Sequence, residues 1–396
     1  MKKENFYVPF GIIILVCLGS VYSWSVFRKP LEQVLNIGAT QSGFPFMTFL
    51  LFFSLLMPVA GSFLPKLGPR KILILGNFLV SGGWVLSGFV KNIYLITITY
   101  GIIAGSGVGM IYGVPLAVAV KWFPEKKGIL MGLILIGFGV SPLITAPLAK
   151  NLIDVYGIFN TFKILGIIFF IIIFILSLPF EFPDEQQTQS ISQNKVETKG
   201  VDIDTKTMLR KKEFYGLWLC YTIGTFTGLM TIGITSPFAQ EVVGVSSATA
   251  AGFVSIFALF NGIGRPIFGY IADKLLSFKT IIIAFTIITI ASLTGLFVNK
   301  GTMILFVITF AILWMMLGGW LAIAPTVTSR IFGLKYYSSN YGVIFTAYGI
   351  GAILGTLISG IIKDFFGTYK LVFYPTTILS IIGIIIASLT LKPKKQ

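Results

Sequence analysis

The sequence predicts an all-α membrane protein, with twelve transmembrane helices arranged as two six-helix pseudo-repeats. Three observations carry that expectation. Hydrophobic residues make up 55% of the 396 and charged residues only 11%, against roughly a quarter charged in a soluble domain. The apolar residues fall in continuous runs that reach the ~20 residues a spanning helix needs, without the period-two alternation of a membrane barrel. One polar stretch, Pro183 to Lys212, divides the runs six and six.

In chain order the runs begin near Val8, Ser42, Ile72, Ile93, Gly128 and Thr161, then near Phe214, Ala248, Thr280, Thr302, Tyr341 and Leu371. The first follows Lys2 and Lys3 as a signal peptide would. It is too long for one, contains Trp24 and lacks a small-residue cleavage site, so it reads as a retained span. The polar stretch is rich in Gln, Ser, Thr, Asp and Lys and reads as a linker, disordered or only partly helical. The expected units are residues 1–182, a linker at 183–213, and residues 214–396.

The net charge of +16 would suit a nucleic-acid partner, but the bases sit in short loops between apolar runs, where membrane topology explains them. With the N-terminus inside, Lys and Arg favour the inner segments by nearly two to one. Arg28, Lys29, Lys150 and Lys163 count on the outer side, Lys66, Lys71 and Lys121 on the inner. Both termini and the linker are then cytoplasmic, the cell (inner) membrane is the location and the lipid bilayer the solvent. A monomer is expected. Histidine is absent, and Cys17 and Cys220 both lie inside apolar runs, so the reading includes no metal, cofactor or disulfide. Gly101, Gly105, Gly107 and Gly109 mimic a nucleotide loop, but inside an apolar span small residues serve close helix packing.

The halves repeat. Gly61 and Gly269, Lys66 and Lys274, and Lys71 and Lys279 are each separated by 208 positions, and near that offset Gly137-Phe138-Gly139 has a counterpart in Gly349-Ile350-Gly351. Parallel six-helix repeats around a central site are a transporter architecture.

Sorting the charges isolates one residue. All fourteen acids fall in tails, loops or span ends, whereas Arg265 lies eight residues before Asp273, about 12 Å up the helix. An intramembrane charge costs roughly 2.5–3.5 kcal/mol on insertion scales and normally has a partner. With no buried carboxylate available, an anionic ligand is the natural complement, and a guanidinium fork matches a carboxylate. The competing reading is that Arg265 snorkels to the headgroups. Asn261 lies one turn away on the same face, as a hydrogen-bonding group or a helix-contact amide. Tyr22, Tyr112, Trp24 and Trp320 are aromatics within spans one, four and ten, suited either to the wall of a small-carboxylate site or to plain packing.

The element Gly61 to Lys71 resembles the loop between spans two and three of the major facilitator superfamily, with Pro65 where its usual acid stands and Asp273 in the equivalent second-half place. Gly19 to Phe27 with Tyr22 and Trp24, Phe260 to Arg265, and Tyr341 to Gly349 are similar to the oxalate/formate antiporter family and its monocarboxylate-transporting relatives. The resemblance implies the major facilitator fold and a secondary carrier, not an enzyme, that moves a small carboxylate by alternating access. It implies Arg265 as the substrate-binding arginine. Animal proton-coupled carriers of this kind have an aspartate where Asn261 stands, and dedicated oxalate carriers a lysine where Tyr348 stands. One cation and one phenol favour a monocarboxylate such as formate, lactate or pyruvate. Exchange against a counter-anion is expected. Proton-coupled import, oxalate/formate exchange and a transporter-like sensor are the alternatives.

Overall fold

The structure is a computed structural model that describes residues 6–183 and 202–392. All of its regular elements are helical. Among the described residues there are twelve long helices: α1 (Tyr7–Leu35), α2 (Ala39–Leu67), α3 (Pro69–Ser87), α4 (Ile93–Trp122), α5 (Gly128–Tyr156), α6 (Ile158–Ser177), α7 (Lys212–Val243), α8 (Ser247–Lys274), α9 (Ser277–Gly295), α10 (Met303–Phe332), α11 (Tyr337–Phe366) and α12 (Lys370–Thr390). Eleven are long and apolar enough to cross a membrane. The other, α3, has spanning length at 19 residues, but Arg70, Lys71, Asn77 and three glycines dilute its apolar character. Each helix begins within about one turn of the start read from its apolar run.

The packing repeats with the sequence. In the first half α2 lies on α4, α3 on α6 and α1 on α5; six helices later α8 lies on α10, α9 on α12 and α7 on α11. The halves meet along two equivalent seams, α2 against α11 and α5 against α8, with α1 against α7 between them. A two-fold arrangement of this kind places a central site on the axis, where both halves contribute side chains.

Missing side chains make the tightest crossings. A Cβ at Gly105 would lie 2.5 Å from the Phe49 carbonyl oxygen, and one at Gly107 2.5 Å from the Val80 nitrogen. The glycines of α4 therefore let it thread between α2 and α3. Near its middle α1 tightens into a 3-10 turn, Gly19–Ser23. A Cβ at Gly19 would stand 2.3 Å from the Phe138 carbonyl oxygen of α5, and Ser141 donates to the Val16 carbonyl at 2.6 Å. This backbone-level contact aims Tyr22 of the 3-10 turn at Phe138, ring centroids 5.1 Å apart.

The two ends of the bundle differ. At one end the halves are tied together. Glu241 of α7 bridges Lys29 of α1 and Lys363 of α11, and the Asp364 carboxylate accepts from the first amides of α2, Ala39 N at 2.8 Å and Thr40 N at 2.9 Å. Arg28, which the sequence reading counts with the outer segments, is 1% exposed there. Its guanidinium donates to Ser42 Oγ (2.9 Å), the Ala39 carbonyl and, across the halves, the Gly233 carbonyl (3.2 Å). At the other end the linker is anchored on both described sides. Trp122 Nε1 donates to the Glu181 carbonyl at 2.9 Å. Asp202 accepts from Leu334 N and Lys335 N at 3.0 Å, while Asn340 Nδ2 donates to the Ile203 carbonyl at 2.8 Å. Within the linker Thr205–Met208 forms a short helix and Lys212 and Glu213 already begin α7, and residues 184–201 lie outside the described part.

Candidate functional site

Halfway along the bundle, residues of both halves converge. Arg265 and Asn261 project from α8, one turn apart. Arg265 is 7% exposed and Asn261 fully buried. Arg265 Nη1 donates to the Leu135 carbonyl of α5 at 2.8 Å, while Nε and Nη2 make no hydrogen bond. Among the described residues no carboxylate lies within 4 Å of it. Asn261 Nδ2 donates to the Trp314 carbonyl at 3.2 Å, which fixes the amide orientation and leaves Oδ1 without a donor. Both side chains face Gly139 of α5. A Cβ there would lie 2.7 Å from Asn261 Oδ1 and 3.4 Å from both Arg265 Nε and Nη2.

Around this polar edge stands an aromatic wall. Tyr112 of α4 sets its hydroxyl beside the Arg265 guanidinium. Tyr22 and Tyr348 share a hydrogen bond of 2.7 Å. Phe138 meets Tyr22 and Tyr112 edge-on at 5.1 and 5.3 Å. Phe53 and Phe345 pack on Tyr348 at 5.8 and 5.1 Å. Donors outnumber acceptors here, among side chains that are almost wholly buried, where an unpaired donor is costly. A set of donors around a guanidinium is chemically complementary to an anion.

The structure brings Arg265, Asn261, Tyr112, Tyr22 and Tyr348 into one cluster. Trp320 lies one layer behind, against Tyr221 at 6.2 Å and Phe285 at 5.0 Å, with Nε1 unbonded. Trp24 is not brought to the cluster: it donates to the Ser42 carbonyl and packs on Phe27 and Tyr100 inside the first half. Two residues beyond Tyr22, it necessarily turns to a different face of α1. Gly139, Phe53 and Phe138 are site residues that the sequence reading does not single out. The Gly137–Gly139 repeat is a signal for Gly139 and Phe138, and Phe53 has none.

A cavity of about 420 Å³ leads from this cluster to the end of the bundle that carries the linker. Tyr112, Leu135 and Phe345 line its inner part, and Lys121, Phe182 and Tyr337 its mouth. The opposite end is closed by the Glu241, Asp364 and Arg28 contacts. A central site open to one side and sealed on the other is the geometry of a carrier caught in one of its two facing states.

Known proteins agree with this architecture. The chain is 29% identical over 388 residues, 97% of its length and 90% of the relative's, to an oxalate:formate antiporter of Oxalobacter formigenes. It is 26% identical to monocarboxylate transporter 12-B of Danio rerio, over 78% of this chain and 70% of that one. A bacterial homologue of the human lysosomal transporter Spinster, solved inward-facing, superposes with a TM-score of 0.74 at 15% identity, covering 98% of this chain and 97% of that one. The family model described as Major Facilitator Superfamily matches residues 10–348 and 255–396. A membrane-spanning, two-fold helical bundle with a one-sided central cavity and a full-length match to that model leaves one assignment: this chain belongs to the major facilitator superfamily of membrane transporters.

Proposed function

We propose that the protein exchanges small monocarboxylates across the cell membrane by alternating access, with Arg265 as the anion-binding residue and the linker end facing the cytoplasm. The observation that carries the reading is the buried guanidinium whose Nε and Nη2 make no well-formed hydrogen bond among the described residues and have no carboxylate beside them. A carboxylate docked on that edge accepts two parallel hydrogen bonds and neutralises the charge. Neutralisation lowers the cost of closing apolar helices around the site. The empty carrier keeps an uncompensated cation and resists closure, which favours exchange over net flow. Tyr22, Tyr112 and Tyr348 add neutral donors, so the site matches one negative charge better than two. The likeness to an oxalate:formate antiporter and to monocarboxylate transporters supports the carboxylate class.

The test is uptake of labelled formate, lactate, pyruvate and oxalate into proteoliposomes, with and without internal counter-substrate. The expected result is monocarboxylate uptake that internal anion accelerates. Arg265→Ala should lower it by about 30-fold or more, since truncating one partner of a buried charged contact costs 2 kcal/mol upwards. Arg265→Lys should also be impaired, because an ammonium lacks the fork. Uptake unchanged in Arg265→Ala would refute the assignment.

A further inference from the structure

The cavity has an electrostatic feature that the central site does not explain. Of its lining residues, Lys121 alone is charged. It sits in the last turn of α4, nine residues beyond Tyr112, roughly 13 Å along the helix. Its ammonium is not neutralised: among the described residues no carboxylate lies within 4 Å of it. It rests instead 3.6 Å over the ring of Phe182, which also lines the mouth.

Lysines at span ends ordinarily set topology, and the neighbouring bases at this end behave that way. Arg70 pairs with Glu181 at 3.7 Å, and Arg330 donates to the Leu275 and Ala272 carbonyls. Neither they nor Lys66 line the cavity; Lys121 does. The Phe182 ring face holds a cation without discharging it, so the field of the ammonium remains available to a ligand.

We propose that Lys121 is a docking station for the cargo anion at the cavity mouth. It would be a second binding position in series with Arg265 that serves only the linker side. The proposal rests on the carboxylate reading given above. An apolar-walled passage focuses the field of a charge at its rim. At physiological salt the reach of that charge is about 8 Å, so Lys121 holds an anion at the entrance and Arg265 takes it over deeper in. With no acid in the lining, nothing repels the anion on the way.

The experiment measures carboxylate transport in inverted and right-side-out membrane vesicles, for wild type, Lys121→Gln, Lys121→Arg and Lys121→Glu. From the linker side Lys121→Gln should raise KM roughly three- to tenfold with kcat unchanged. Lys121→Arg should keep the wild-type value and Lys121→Glu should exceed the glutamine effect. From the opposite side KM should not move. Raising salt from about 0.05 to about 0.5 M should erase the difference between wild type and Lys121→Gln. An unchanged linker-side KM, or an equal rise from both sides, overturns the docking role while leaving Arg265 and the carboxylate reading intact. Wild type that moves no carboxylate at all overturns both.

Discussion

The hydroxyls of Tyr22 on α1 and Tyr348 on α11 meet at 2.7 Å, a bond between residues 326 positions apart that crosses from one half of the molecule to the other. Two hydroxyl groups carry two hydrogens, and the bond consumes one. The pair makes no other hydrogen bond among the described residues, and both rings are fully buried. One phenolic hydrogen is thus left for an acceptor next to Arg265.

That spare hydrogen predicts the effect of substitution. Tyr348→Phe alone frees the Tyr22 hydrogen that the pair had shared, so the double variant Tyr22→Phe/Tyr348→Phe is what removes a neutral donor worth roughly 1 kcal/mol, and its monocarboxylate affinity should fall about fivefold. Tyr348→Lys places a second cation near Arg265 and should shift preference toward oxalate, because each carboxylate of a dianion then finds a counter-charge. Competition of unlabelled oxalate and lactate against labelled formate measures both. Tight oxalate binding by wild type, with weak competition from monocarboxylates, would refute the charge-matching argument.

Gly139 offers a prediction about shape. Its absent side chain leaves room for Asn261 Oδ1 and the free edge of Arg265, and Asn261 cannot retreat without losing its bond to Trp314. Gly139→Ala should therefore displace the polar edge and weaken anion binding by about tenfold, an overpacking penalty of 1–3 kcal/mol. Gly132, on the same helix, has open space where a Cβ would stand, so Gly132→Ala should bind normally. Equal affinities for the two variants would show that Gly139 plays no part in the site.

The closed end predicts a change in facing. Glu241 and Asp364 of the second half hold Lys29 and the first amides of α2. Glu241→Gln and Asp364→Asn should each favour the state open at that end. A cysteine in place of the buried Phe46, which packs near Gly233 of α7, should then react with an impermeant maleimide roughly three- to tenfold faster from the side opposite the linker. The native thiols, Cys17 and Cys220, are buried and make little background. A labelling rate equal to that of wild type in both variants would mean that these contacts do not hold the end shut.

Much of the fold is legible in the chain because lipid imposes it. The apolar runs from Val8 to Leu371 mark the helices to within a turn, since backbone groups in hydrocarbon have few alternatives to the helix. Arg265 and Asn261 are legible for a related reason: a charge or amide inside such a run is conspicuous. What sequence does not show is which face each residue takes once the helices pack. Trp24 and Tyr22 are two positions apart, yet one joins the first-half core and the other the central cluster. Arg28 sits at the end of an apolar run beside Pro30 and reads as a loop residue. Its burial is made by the start of the next helix, α2, and by α7 and Tyr369, the last two distant in the chain. The Tyr22–Tyr348 contact has no local signal, because the seam between the halves creates it.

That no described carboxylate stands beside Arg265 has an electrical consequence. On the carboxylate reading, the loaded centre is neutral, whereas the empty centre is cationic. Exchange of one monoanion for another then moves no net charge in a full cycle and should be indifferent to membrane voltage. The return of an empty carrier displaces the guanidinium through part of the field, where a whole charge crossing would feel about 2.3 kcal/mol per 100 mV. Voltage dependence therefore belongs to net flux alone, and a current recorded during uptake without counter-anion, absent during exchange, is its signature.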